Sequence, residues 1–329
     1  MATEKRNLRC DDDKKLYNVD ITLIKNTKKE VKVKSVYQDS MPEGSKVGTV
    51  VTLHGAPGSH NDFKYIEPLL TQNGIRTIGI NFPGFGHSQS LEDIEYTNEE
   101  RIECVEKTLK AINVDENIVL MGHSRGTENA LRMAIMFPKM VIGALLVNPI
   151  GLRTHRGMRP RWISIFLAFL WRWGLFKPAI VSIIKFCYGL FGIKISNNNI
   201  VEACLLTVDK IKFSEQKKYI EKLKDLDITI INAIGGRDAA IERSVSREFY
   251  STFPNNVCLE FLNEDNEEDK MIKHVNYCLK NGEKIITSIF PKDGHFIQKH
   301  RAKFLAETSK TIFNIYNRKH NDDYITINN

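Results

Sequence analysis

Ser124 is the residue of this chain whose neighbours best suit it to act as a nucleophile. It stands within Gly122, His123, Ser124, Arg125 and Gly126, after an apolar run that ends at Met121. A helical pattern follows, in which Ala130, Leu131, Ala134 and Ile135 share one face. A strand that turns through a serine straight into a helix must strain that serine's backbone, and the residues two before and two after it come too close for a Cβ. The strain exposes the hydroxyl at the carboxyl end of the strand. It also leaves the Arg125 amide, at the helix start, free to receive negative charge. Attack on a carbonyl carbon is the chemistry these two features serve. The hydroxyl is a weak nucleophile until a base takes its proton, so a histidine and a carboxylate to orient it must come from elsewhere in the chain. The other reading of the pattern is a plain glycine-rich loop between strand and helix.

The elements around Ser124 are legible from periodicity. Residues 17–24 and 31–37 alternate apolar and polar, as half-buried antiparallel strands do. Residues 47–53, 75–81, 118–121, 141–147, 228–234 and 285–290 are short continuous apolar runs, the pattern of strands buried on both faces. Helices are predicted over 61–72, 98–111 and 299–316, the last an amphipathic closing helix. Strands alternating with helices predict an α/β fold, with a mostly parallel sheet, helices on both faces, and sites at the carboxyl ends of the strands. The loops 54–58, 82–88 and 122–126 all lie at such ends, and their convergence is the main structural expectation.

The alternation breaks after Asn148 and Pro149 and resumes only near Leu226. Between them come Arg153, Arg156, Arg159 and Arg161, then apolar runs interrupted by Arg172, Pro178 and Lys185. Each run spans about 10–15 residues, short of the ~20 needed to cross a bilayer. The plainest reading is a pair of helices burying their apolar faces over a pocket. A second adds shallow, peripheral membrane contact through residues 153–193, with the arginines and Trp162, Trp171 and Trp173 at headgroup level. A true span is the third. The first two both imply a greasy pocket and an apolar or lipid-like acyl substrate.

Composition sets outer bounds. The 329 residues suffice for one large domain, and 42% hydrophobic with 26% charged residues is ordinary for a globular chain. A net charge of +7 argues against a dedicated nucleic-acid binder but permits attraction to an anionic membrane. The six cysteines are scattered without a Cys-x-x-Cys pair, which argues against a zinc site or disulfide framework and fits an intracellular chain. The polar start shows no apolar signal core, so a cytoplasmic location is expected. Residues 255–284, with their acidic run, read as a polar surface insertion, and the tail as disordered.

With these elements in place, Gly122–Gly126 resembles the nucleophile elbow of the α/β-hydrolase superfamily, in its serine esterase or lipase-like branch. The resemblance implies core segments at 1–150 and 226–318, a cap or lid inserted at 151–225, and a disordered tail at 319–329. It makes His54, Gly55, Ala56, Pro57 and Gly58 the loop that supplies a second oxyanion donor, the Ala56 N–H, beside that of Arg125. His54 itself is expected to hold the loop. The stretch from Asn81 to Ser88 is similar to a superfamily loop that usually opens on an acidic residue, and is read as structural. Asp238, just past its strand, takes the place of the acid, with Glu242 and the more distant Asp265 as alternatives. His295, in a Gly-His-Phe loop beyond the last strand, takes that of the base, while His300 is expected to be exposed. The implied activity is that of a serine hydrolase cleaving an ester or related acyl bond, with no metal or organic cofactor. A non-catalytic ligand-binding protein, a proline-iminopeptidase-like peptidase and an acyltransferase remain alternatives.

Overall fold

Strands apolar on both faces can only be satisfied inside a layered fold, and helices cover both sides of the sheet they build. The structure, a computed structural model, describes residues 7–8, 15–24, 29–91, 93–195, 197–261 and 267–327. Its strands are β1 (Asn7–Leu8), β2 (Leu16–Ile24), β3 (Glu30–Asp39), β4 (Thr49–Leu53), β5 (Arg76–Asn81), β6 (Ile118–His123), β7 (Val141–Val147), β8 (Thr229–Gly235), β9 (Val257–Glu260) and β10 (Ile285–Phe290). They form one sheet in the order β1-β2-β3-β5-β4-β6-β7-β8-β10-β9. From β5 to β9 every pairing is parallel, and only β1, β2 and β3 run against their neighbours. Residues of β4, β5, β6, β7 and β10 are buried throughout, whereas β2 alternates, as the two sequence patterns predict.

The helices are α1 (Glu67–Gln72), α2 (Asn98–Ala111), α3 (Arg125–Met136), α4 (Arg161–Arg172), α5 (Lys177–Gly189), α6 (Asn198–Asp209), α7 (Glu215–Lys222), α8 (Arg243–Ser251), α9 (Glu267–Lys280), α10 (Ile297–His300) and α11 (Ala302–Ile327). One core joins the sheet to α2, α3 and the helices inserted between β7 and β8; the other joins it to α1, α9 and α11. Thr97 fixes the start of α2 with a capping box: its hydroxyl accepts from the Glu100 N–H at 3.1 Å, and the Glu100 carboxylate accepts from the Thr97 N–H at 3.0 Å.

Four expectations are corrected. The helix expected over 61–72 is a short 3-10 turn (His60–Phe63) followed by α1, because Pro68 lacks an N–H and opens a helix rather than continuing one. The pair of inserted helices is four, α4 to α7; the apolar runs revealed α4 and α5 and hid the more polar α6 and α7. The described elements within residues 255–284 belong to the fold and are not an insertion on its surface. Here β9 pairs with β10, and Met271, Ile272, Val275 and Leu279 bury one face of α9. The described end of the acidic run forms the first turn of α9 and holds the start of α11 and the residue before it: Glu267 pairs with Arg301 at 3.3 Å and Asp269 with Lys303 at 2.7 Å. Asp265, the distant alternative acid, lies outside the described residues. The closing helix does not end at Tyr316 but continues to Ile327, with no glycine or proline to stop it, so the tail read as disordered is largely helical.

Candidate active site

Ser124 follows β6 and begins α3, with φ 50° and ψ −119°, a left-handed backbone that L side chains rarely adopt. The flanking glycines explain how the chain holds it there. A Cβ on Gly122 would lie 2.6 Å from the Gly126 carbonyl oxygen. One on Gly126 would collide with the Leu53 carbonyl oxygen and lie 2.8 Å from that of His54. A side chain at Gly122 would push α3 off β6, and one at Gly126 would push it off β4. Strand order does the rest. The chain leaves β4 towards β5 and returns on the other side as β6, so the loops after β4 and β6 border a topological switch point, where α/β folds open a crevice.

Asp238 follows β8 and His295 follows β10. His295 Nδ1 donates to Asp238 Oδ2 at 2.7 Å, while Asp238 Oδ1 accepts from the Ala240 and Ile241 N–H groups at 2.8 and 2.9 Å. Burial alone would raise the Asp238 carboxyl, but the His295 bond and charge and the two amides outweigh it and hold the group below its ordinary value. Asp238 is therefore an anion that fixes the imidazole tautomer and leaves Nε2 as the basic position on the ring. Glu242 is engaged elsewhere, with Arg159 and the Arg156 amide. His300 is exposed, as expected.

His295, His155 and Ser124 line one pocket of about 70 Å³ with Ala56, Arg125 and Ile150. Three other histidines surround this region, and none has a carboxylate partner among the described hydrogen bonds. Burial lowers His54 and His123 to about 3 and His155 to about 4, so all three are neutral at physiological pH. His54 Nδ1–H donates to the Gly55 carbonyl at 2.7 Å, and its Nε2 accepts from the Phe82 N–H at 3.2 Å. It thus ties the two loops after β4 and β5 together, the holding role expected of it. Asn81 holds the start of its own loop, accepting from the His60 N–H and ring at 3.1 and 3.0 Å.

The Arg125 N–H opens α3 and so has no intrahelical acceptor. Its side chain points into a buried charge network, bonding Glu128 at 2.7 Å and Asn98, while Glu128 also takes Arg132 at 2.9 Å. This anchorage fixes the first turn of α3. Gly55 lets the Ala56 loop approach, for a Cβ there would come 3.2 Å from the Ser124 Cβ.

Three contributors escaped the sequence reading. Asn148 ends β7, between β6 and β8. Its amide donates to the carbonyls of Gly294 and His295 at 3.0 and 2.9 Å and accepts from the Gly235 N–H at 2.8 Å. His123 Nε2 donates to the same His295 carbonyl at 2.8 Å. Together they clamp the loop that carries the imidazole. Asp62 caps the 3-10 turn after Ser59, and burial raises its carboxyl to about 7, though the residue keeps an edge in solvent. It interacts electrostatically with His295. Asp62 is therefore a group near Ser124 that gains its charge around neutral pH. Asp62→Asn removes a negative charge that favours the imidazolium. The variant's pH–rate profile should therefore match wild type well below pH 7, where Asp62 is neutral, and depart from it above, where the wild-type carboxylate is charged. Profiles that coincide across pH 7 would show that Asp62 has no influence on the site.

The comparisons with known proteins agree with this arrangement at the level of fold and family. A model of the family described as "Alpha/beta hydrolase of unknown function (DUF1057)" matches residues 13–314. A Caenorhabditis elegans protein, itself named as uncharacterized, is 31% identical over 300 residues, covering 88% of this chain and 84% of that one. A 2-hydroxy-6-oxo-6-(2'-aminophenyl)hexa-2,4-dienoic acid hydrolase of Metapseudomonas resinovorans is 28% identical over 123 residues, 36% of this chain and 42% of its own. Among solved structures, the haloalkane dehalogenase DbeA of Bradyrhizobium elkani aligns with a TM-score of 0.61 at 15% identity, over 91% of this chain and 97% of that one. The chain belongs to the α/β-hydrolase family of unknown function designated DUF1057.

Proposed function

We propose that the protein is a serine hydrolase that cleaves an ester or related acyl bond of an apolar substrate. Ser124 attacks the carbonyl carbon while His295 Nε2 takes the hydroxyl proton, and Asp238 stabilises the imidazolium that forms. The Ala56 and Arg125 amides receive the charge on the carbonyl oxygen, each worth roughly 3–4 kcal/mol in the transition state. The imidazolium then protonates the leaving group, and water, deprotonated by His295, releases the acyl group from Ser124.

The observation that carries this reading is the bond between His295 and buried Asp238, in the pocket that also contains a serine at positive φ. The inserted helices act as a cap whose greasy interior takes the acyl chain. An adjoining cavity of about 230 Å³, lined by Leu167, Ile184, Tyr188, Phe191 and Leu205 among others, shares Tyr188 and Phe191 with the Ser124 pocket. Its lining favours an ester over the free amino terminus that an aminopeptidase must recognise. Among the described residues that line the two cavities there is no aspartate or glutamate to receive an ammonium group.

A panel of p-nitrophenyl esters tests the proposal. Catalytic efficiency should rise with acyl length by about fourfold per buried methylene, until the chain outgrows the cavity. Preference for acetate would overturn the apolar pocket, and no turnover of any ester would overturn the esterase. Release of the same acyl group to an added alcohol in preference to water would instead identify an acyltransferase.

A further inference from the structure

The inserted helices α4 and α5 are apolar on opposite faces, and the fold covers only one of them. On α4, Leu167, Ala168 and Trp171 face inwards, and the contrary stripe is Trp162, Phe166, Phe169 and Trp173. On α5, Ile180 and Ile184 are buried, while Phe186 and Leu190 stand outwards. Exposure of 67% at Trp162, 69% at Trp173 and 68% at Phe186 is too great for side chains that merely edge a core. A helix apolar all round belongs against something apolar on both sides. Large apolar side chains exposed in such number on two packed helices are of the kind that marks an interaction surface.

The charge around this patch says what covers it. Residues 151–195 contain eight lysines and arginines and no aspartate or glutamate. Acids from elsewhere neutralise Arg153, Arg159 and Arg172. The side chains of Arg156, Lys177, Lys185 and Lys194 have no carboxylate partner among the described residues. Aromatic and aliphatic side chains rimmed by unpaired cations match the interface of an anionic bilayer: apolar groups enter the acyl boundary, tryptophans stay near the headgroups, and cations meet the lipid phosphates. No described helix is long and apolar enough to cross the membrane, so the contact is with one surface.

The cavity between α4, α5 and α6 adds a direction. Ile163 and Ile183 line it and are also exposed, so it opens where the two helices present their apolar side chains. At its other end it shares Gly157, Met158, Tyr188, Phe191 and Val208 with the pocket of Ser124. We infer that the outward faces of α4 and α5 seat the protein on an anionic membrane, and that the cavity beneath them admits an acyl chain from the bilayer to Ser124. The seating stands by itself; the passage rests on the esterase reading.

Sedimentation of the full chain with vesicles tests the seating apart from any hydrolysis. Wild-type protein and Ser124→Ala should bind equally to phosphatidylcholine vesicles containing roughly 30 mol% phosphatidylserine, and more weakly to phosphatidylcholine alone or at high salt. The triple variant Trp162→Ser, Phe166→Ser, Phe169→Ser should lose at least about tenfold in partitioning. It alters exposed positions only, so its hydrolysis of a soluble short-chain ester should match wild type. Lys177→Glu with Lys194→Glu should weaken binding several-fold on anionic vesicles only. Wild-type protein left in the supernatant would overturn the inference. So would a dimer in solution that the triple variant converts to monomer without any vesicle binding, since a second copy would then be what covers the patch. Binding without turnover of any ester would keep the seating and remove the passage.

Discussion

Ser124→Ala should lower kcat for p-nitrophenyl esters by about 10⁵-fold or more, with little change in KM and none in fold. The hydroxyl makes no hydrogen bond among those described, so its removal should change stability by no more than about 0.5 kcal/mol. The variant also keeps the positive-φ backbone and both glycines, and hence the placement of the Arg125 amide. What it lacks is the atom that forms the acyl bond. His295→Ala should cost nearly as much, and Ser124→Ala with His295→Ala scarcely more than either alone, because a nucleophile without its base and a base without its nucleophile fail at the same step. Asp238→Asn should cost about 10⁴-fold, since an amide opposite Nδ1 no longer imposes the tautomer that leaves Nε2 basic. A fluorophosphonate probe gives an independent reading: it should label wild type and not Ser124→Ala. Equal labelling, or a kcat within tenfold of wild type, would end the serine-hydrolase proposal and favour a non-catalytic binding protein on this fold.

Gly126→Ala should destabilise the protein by about 3–4 kcal/mol, among the largest effects of any one-methyl change in the chain. The added carbon would meet the Leu53 carbonyl oxygen, with the Leu53 carbonyl carbon at 2.7 Å and the His54 oxygen at 2.8 Å. All are backbone atoms of β4 and the loop after it, so no rotamer change relieves the clash. Helix α3 would have to lift away from the sheet, carrying with it the Arg125 amide and the Arg125–Glu128–Arg132 network. Denaturant midpoints measure the loss. Gly189→Ala is the control: it lies at the end of α5, and its added methyl meets open space, so it should be neutral or stabilising by up to about 1 kcal/mol. If Gly126→Ala unfolds no more readily than Gly189→Ala, the account of why the elbow needs its second glycine fails.

Much of the core was legible in the sequence because its signals are local. A strand buried on both faces is a short apolar run wherever it lies, so β7 and β10 have the bounds that their patterns predict. Helix α2 begins at Asn98 because Thr97 and Glu100 are three residues apart, and a capping box needs nothing else. The glycines around Ser124 speak for a steric requirement that acts within one turn. Misreadings came where the deciding partner was distant. The β9–α9 unit resembles an insertion until β10 is there to pair with β9 and α11 to receive the face of α9. Helix α7 lacks an apolar run because it presents only one side to the core, and the buried stretch of α6 is short, from Val201 to Thr207.

For the candidate site, the sequence singled out the candidate side chains and the strand end at which each stands. Only the tertiary structure decided which of the histidines near Ser124 meets a carboxylate, since that depends on β8 and β10 being neighbours, not on anything near His295 in the chain. It alone gave Asn148 its task, because strand order sets β7 between the strands that carry Ser124 and Asp238. It also decided which apolar residues of α4 and α5 are left without cover. Periodicity marks the residues that can be buried, but only packing shows which are, because burial depends on what the rest of the chain brings against each face.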